Sequence, residues 1–127
     1  MAAFNRGTGF DIAGGEQNTF ENNTATFNQG AGFGIGNAKQ NTFRANVSTG
    51  SRYGFYLAPG AHENRLEGDT ASANSVVGII TLMDATRNVI RGNTARDNPL
   101  DLEEDNGNCD NVWENNSFGT ANKPCIH

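Results

Sequence analysis

Acidic and basic side chains alternate at a fixed interval through this chain: Glu21, Arg44, Glu67, Arg91 and Glu114. A carboxylate beside a guanidinium can move protons, and clustered carboxylates can hold calcium. The densest acidic run, Asp101-Leu-Glu103-Glu104-Asp105-Asn-Gly107, has the charge for a loop calcium near Asp101–Asp105. It lacks the D-x-[DN]-x-[DN]-G order of a dedicated calcium loop, so a solvated loop is the simpler expectation. Arg52, Tyr53 and Tyr56 stand together. An exposed tyrosine ring beside a guanidinium suits a sugar ring and its carboxylate, which makes this trio the candidate substrate-binding patch; Tyr53 could equally cover a corner of the core. His62 and His127 are the only histidines. Neither a histidine metal cage nor a Ser-His triad is supported, and no catalytic or metal-ligating residue is assigned. Gly30-Ala-Gly32-Phe-Gly34-Ile-Gly36 imitates a phosphate-cradling loop, but no helix and no Gly-Lys-[Ser/Thr] follows it.

The elements that would position these groups come from a repeat. Asn18, Asn41, Asn64, Asn88 and Asn111 begin five copies of one pattern, at intervals of 41−18=23, 64−41=23, 88−64=24 and 111−88=23. The copies read NTFENNTA, NTFRANVS, NRLEGDTA, NVIRGNTA and NVWENNSF. A unit this short cannot bury its own core, so copies must stack as a solenoid. Phe20 falls between outward Thr19 and Glu21, the alternation of a short half-buried strand, and Phe43, Leu66, Ile90 and Trp113 are its equivalents. Asn23, Asn46, Asp69, Asn93 and Asn116 are expected to take the left-handed conformation at a corner and to stack as a hydrogen-bonded ladder that Asp69 interrupts. The small column Ala25, Ser48, Ala71 and Ala95, ending in Phe118, points inward on the next strand. A third strand comes from Gly9-Phe10-Asp11-Ile12 and its copies Gly32–Ile35 and Gly54–Leu57, then less cleanly from Gly78–Thr81 and Pro99–Leu102; register is ambiguous over 76–83.

Stacked this way, Glu21, Arg44, Glu67, Arg91 and Glu114 become an ion-pair ladder that sets register, and Glu63, Arg87 and Asp110 repeat the device. The third strand's outward column would read Asp11, Gly34, Tyr56, Ile80, Asp101, its two acids four coils apart, roughly 19 Å at ~4.8 Å per coil. That is too far to share a cation. Thr24-Ala-Thr26, Val47-Ser-Thr49 and Thr70-Ala-Ser72 form a hydroxyl array like those of ice-binding solenoids, broken by Thr94-Ala-Arg96. Sequons at Asn22, Asn46 and Asn115 follow from the corner motif itself.

The N-x-[apolar]-x-x-N-x-A and G-[apolar]-x-[apolar] units resemble the right-handed parallel β-helix repeat of the pectate-lyase-like superfamily, including periplasmic and secreted β-helix repeat proteins. The resemblance covers nearly the whole chain, and the tail CDNVWENNSFGTANKPCI is similar to the terminal coil of many bacterial secreted β-helix proteins. It implies an all-β fold of about five and a half coils with three short strands each, and it spans lyases, hydrolases, epimerases and non-enzymes, so it leaves the reaction open.

A net charge of −5 argues against nucleic acid or an anionic membrane as partner. No apolar run approaches the ~20 residues of a membrane span. Residues 2–12 match 25–35, so Met1 falls mid-coil. The expectation is one domain, 1–127, the C-terminal part of a longer exported protein, secreted or periplasmic, with a cap coil at 109–127 and an N-terminal coil open to end-to-end self-association. Cys109 and Cys125, 125−109=16 apart, then form a disulfide across the last coil. The leading function is a non-catalytic structural or carbohydrate-recognition module without a cofactor; the alternatives are a lyase or epimerase acting on uronate-containing glycans and, more remotely, an ice-binding solenoid.

Overall fold

The computed structural model describes residues 1–127. Sixteen short strands, numbered in chain order, stack into three parallel sheets. The first sheet holds β1 (Ala2–Ala3), β4 (Thr24–Thr26), β7 (Val47–Thr49), β10 (Thr70–Ser72), β13 (Thr94–Arg96) and β16 (Ser117–Phe118). The second holds β2 (Phe10–Ala13), β5 (Ala31–Gly36), β8 (Tyr53–Leu57), β11 (Val77–Thr81) and β14 (Leu100–Glu104). The third holds β3 (Thr19–Glu21), β6 (Thr42–Arg44), β9 (Arg65–Glu67), β12 (Val89–Arg91) and β15 (Val112–Glu114). Each strand pairs with its own copy one coil away, so residues one repeat apart are partners, as in Phe20↔Phe43, Phe43↔Leu66 and Ile90↔Trp113. The expected parallel β-helix is what forms.

The core is a set of stacked columns inside the rod. Phe33, Phe43, Phe55, Leu57, Leu66, Ile79, Ile90 and Leu102 are fully buried. Phenylalanine rings lie face to face at about the coil spacing, Phe10 on Phe33 at 4.9 Å, Phe33 on Phe55 at 4.8 Å and Phe20 on Phe43 at 4.9 Å. Ala25, Ser48, Ala71 and Ala95 are buried where the first sheet passes close to the second, and Phe118 closes their column against the core. The glycines that open the third-strand tetrad are required by close approach: a Cβ on Gly54 would lie 2.3 Å from the Gly78 carbonyl oxygen, and one on Gly78 would lie 2.5 Å from that of Asp101.

The ambiguous stretch 76–83 resolves with Ile79 and Thr81 in the inward columns and Ile80 outward, partnering Tyr56 and Glu103. This corrects the last copy of the tetrad. Leu100 partners Val77, so the inward pair of β14 is Leu102 and Glu104, and the outward column ends in Glu103 rather than Asp101.

The corners also differ from expectation by one residue. Positive φ falls on Asn22 (58°), Ala45 (53°), Gly68 (68°), Gly92 (65°) and Asn115 (55°), not on the ladder residues that follow them. With the turn made one position earlier, Asn23, Asn46, Asp69, Asn93 and Asn116 can direct their side chains along the rod. Backbone N and Nδ2 of Asn23 both donate to Asn46 Oδ1, at 3.0 and 3.2 Å, and those of Asn93 donate to Asn116 Oδ1 at 3.0 and 3.2 Å. Asn18, Asn41, Asn64, Asn88 and Asn111 form an equivalent ladder at another corner. A third runs through Asn5, Asn28, Ser51, Asn74 and Asn98. The sequence carried that third ladder at intervals of 28−5=23, 51−28=23, 74−51=23 and 98−74=24, masked by the serine. Along each ladder the side-chain oxygen of one rung accepts from the rung before it, so the rung-to-rung hydrogen bonds all run toward the C-terminal end, while Nδ2 also donates back to a carbonyl of the preceding coil, as Asn41 does to Gly15 and Asn64 to Ala38.

Because the ladders are directional, their last donors need an acceptor. Asn98 Nδ2 ends on Asp101 Oδ1 at 2.9 Å, and Asn116 Nδ2 on the His127 carbonyl at 2.8 Å. Asn111 Nδ2 ends on Glu104, 3.2 and 3.0 Å from its two carboxyl oxygens. Glu104 is fully buried and also accepts from Asn106 N at 3.1 Å, Asn106 Nδ2 at 2.6 Å and Trp113 Nε1 at 2.8 Å. The Cys109–Cys125 disulfide closes the same end, with Cα atoms 6.4 Å apart.

Candidate functional site

Arg52, Tyr53 and Tyr56 come together on the outer face of the second sheet. Tyr53 opens β8 and Tyr56 stands outward between the buried Phe55 and Leu57. The Arg52 guanidinium lies over the Tyr53 ring, 5.5 Å from its centre, and the two tyrosine rings are 4.9 Å apart at 53°. With Thr8, Gln29, Gly30 and Ala31 they enclose a hollow of about 200 Å3. Gly34 is the register partner of Tyr56 on β5. Burial is the main reason the Tyr56 hydroxyl is held above its ordinary pKa; Tyr53 and Asp105 add to the rise and Arg52 opposes it. Tyr56 therefore stays a protonated hydrogen-bond donor at neutral pH. Two further aromatics, Phe4 and Phe27, are exposed and stack 5.4 Å apart, Phe27 covering Gly50, where a Cβ would meet its ring at 2.5 Å.

A larger hollow of about 350 Å3 lies on the third sheet's side, lined by Gln40, Thr42, Glu63, Arg65 and Arg87 among others. Its cations are already engaged: Arg87 with Glu63 at 3.1 Å and Arg65 with Glu67 at 3.6 Å.

Glu21, Arg44, Glu67, Arg91 and Glu114 are register partners down one face. Arg44 pairs with Glu67 at 3.3 Å, and Arg91 Nε with Glu114 at 2.7 Å, so the column breaks into discrete ion pairs. His62 sits between Lys39 and Thr86 in a column of bridges, its Nδ1 3.0 Å from the Gly60 carbonyl oxygen. The hydroxyl rows Thr24, Thr70 and Thr26, Thr49, Ser72 are in register until Arg96 replaces the next member of the second row.

The acids of the run 101–105 do not converge. Asp101 is buried and accepts from Asn98 N and Nδ2, Gly119 N and Thr120 N; burial works against its charge, but these bonds outweigh it and hold the carboxyl below the usual range. Glu104 faces the core, and Glu103 faces outward, its carboxyl raised by partial burial and then by Asp105. No three acidic, histidine or cysteine side chains gather around a point that could hold a metal ion. The signal that these residues end the ladders was present in the sequence only as a departure from the repeat, since acids stand at 101 in a column otherwise of glycine and at 104 in a column that reads Ile12, Ile35, Leu57 and Thr81.

Three stacked parallel sheets with 23- to 24-residue coils define a parallel β-helix. A family model described as right handed beta helix region matches residues 3–127, and the chain belongs to that family, consistent with the pectate-lyase-like superfamily. No curated protein and no solved structure matches the chain.

Proposed function

We propose that the chain is a non-catalytic β-helix module that recognises acidic polysaccharide at Arg52, Tyr53 and Tyr56. The observation that carries this reading is their convergence on one hollow, with a guanidinium lying over one of two tilted rings. Aromatic faces suit the apolar faces of sugar rings, and Arg52 supplies a planar donor for a uronate carboxylate. Tyr56, kept protonated, fits a donor to a sugar oxygen better than a base that abstracts a proton. A lyase or epimerase acting through the same trio is the alternative. The disulfide agrees with an exported protein.

Affinity electrophoresis in gels containing polygalacturonate, alginate or a neutral glucan tests the reading. Retardation by the uronate polymers that falls about tenfold or more in Arg52→Ala is expected, the loss of one charge-assisted hydrogen bond of ~1.5–3 kcal/mol. Equal retardation of the natural chain and Arg52→Ala would overturn it. Release of unsaturated uronate by the natural chain, lost in Arg52→Ala, would replace it with the lyase reading.

A further inference from the structure

The ladder of Asn23, Asn46, Asp69, Asn93 and Asn116 carries an amide at every rung but one, where it has a carboxylic acid. Asp69 is buried, 1% exposed. Its Oδ1 does what each Asn Oδ1 does, accepting from Asn46 N at 2.8 Å and Asn46 Nδ2 at 2.9 Å, and its backbone N donates to Asn93 Oδ1 at 2.8 Å. Its Oδ2 stands where the other rungs carry Nδ2 and is the single buried side-chain polar atom without a hydrogen-bond partner. The repeat identifies what that atom faces. Nδ2 of Asn46 donates back to the Phe20 carbonyl, and Nδ2 of Asn93 to the Leu66 carbonyl and forward to Asn116 Oδ1. By the same geometry Asp69 Oδ2 faces the Phe43 carbonyl and Asn93 Oδ1, both acceptors. A bare carboxylate oxygen between two acceptors is repelled, whereas a hydroxyl there donates as the amide does.

We propose that Asp69 is a proton-binding site inside the rod: its Oδ2 carries a proton that completes the ladder, and loss of that proton as the pH rises loosens the coil around residues 64–72. Charged neighbours support rather than oppose this. Glu67, two residues earlier, disfavours a second negative charge. Arg44 and Arg91, at the matching positions of the coils on either side, are paired to Glu67 and Glu114 on the outer face. Burial first, with the Glu67 charge adding least, pushes the Asp69 carboxyl up to about 7 against the hydrogen bonds from Asn46 and the Glu67 backbone. An acid whose folded pKa lies above its unfolded value stabilises the fold most below the unfolded value. That advantage declines from about pH 4 and is gone above about pH 7.

Two measurements test the proposal. A carbon-13 NMR titration of the side-chain carboxyls in the natural chain should show Asp69 changing charge near 7; a midpoint in the ordinary aspartate range would overturn it, with no variant needed. Denaturant unfolding of Asp69→Asn beside the natural chain should give matching stabilities near pH 4. By about pH 8 the folded-to-unfolded ratio should favour the variant by up to roughly a thousandfold, the shift from 3.8 to about 7 converted at tenfold per unit. Parallel curves across that range would overturn the proposal as well.

Discussion

Asp69 and Asp101 are the same residue, buried to nearly the same extent, 1% and 3% exposed, and both belong to a corner ladder. Asp69 lies in the middle of its ladder, where each rung must accept from one neighbour and donate to the other. Asp101 lies at the end of its ladder, where only acceptance is required. The consequence is opposite carboxyl chemistry: Asp69 is raised by burial, and Asp101 is held low by four donors that overcome burial. Their pH dependences therefore oppose one another. Asp101 stabilises the fold above the unfolded aspartate pKa and loses that effect as the pH falls through its lowered value, while Asp69 loses its effect as the pH rises toward 7. A directional stack of amides tolerates a carboxyl group at its C-terminal end and charges for one in its interior.

Glu104 is the stronger case of the end position, and removing it should be the most damaging change here. Glu104→Ala strips the acceptor from Asn106, Asn111 and Trp113 together and leaves a void beneath Trp113. A loss of ~3–5 kcal/mol is expected in urea unfolding, the cost of leaving several buried donors unmatched. Glu104→Gln should be milder, since its amide oxygen still accepts but its nitrogen faces donors. Equal loss in both variants would mean that two accepting oxygens, not the shape of the side chain, are what this end requires. The disulfide is the next contribution to the same end. Replacing Cys109 and Cys125 with serine should cost about 3 kcal/mol for a loop of this length, read as a lowered denaturant midpoint that reductant does not lower further.

Asn64→Asp moves the Asp69 situation into another ladder and sharpens the comparison directly. Asn64 Nδ2 donates to the Ala38 carbonyl and to Asn88 Oδ1, at 2.9 and 3.0 Å, so an aspartate there would present a second orphan oxygen to two acceptors. At pH 8 the variant should lose ~1–3 kcal/mol, the usual cost of an unmatched buried polar group. Near pH 4, where the new acid can hold its proton, most of that loss should disappear. A loss independent of pH would show that ladder position does not govern the carboxyl.

The fold was readable because a solenoid repeats each physical requirement once per coil. Five copies of N-x-[apolar]-x-x-[ND] gave the strand positions, the small Ala25 column and the outer charge register without any long-range inference. The two ring-bearing residues at 53 and 56 flank Gly54 and Phe55, so their convergence with Arg52 could be anticipated from one strand. What was not readable is where the repeat stops. Above β14 the irregular segment 119–122 takes the place of a regular strand, which gives Asp101 room, and donors from Gly119 and Thr120, at a column position that is glycine in the four preceding coils, while Glu104 turns inward as an acceptor. No rule of the repeat describes its own end. The left-handed corner residue was misplaced by one because asparagine is eligible at both positions in Asn22-Asn23 and Asn115-Asn116; Ala45 and Gly68 carry the positive φ in coils where the neighbour is needed for the ladder.

The outer charge column completes the contrast, because it repeats as regularly as the inner ladders yet stands in water. Arg44 is in register with Glu21 and Glu67 but forms an ion pair with Glu67 only, at 3.3 Å, and its side chain is about half exposed. Solvent screens such a pair, so Arg44→Ala should change unfolding free energy by ~0–1 kcal/mol, and by less still in concentrated salt. Glu67 would retain Arg65 as a partner at 3.6 Å. The variant also bears on Asp69, since removing a cation near Glu67 strengthens the negative field that disfavours Asp69 ionisation. The expected signature is a small further rise in the Asp69 midpoint, read by the same carboxyl NMR titration, with almost no change in stability at pH 4. A fall in that midpoint would mean that Arg44 acts on Asp69 by some route other than charge, and the separation between wet outer column and dry inner ladder would not hold.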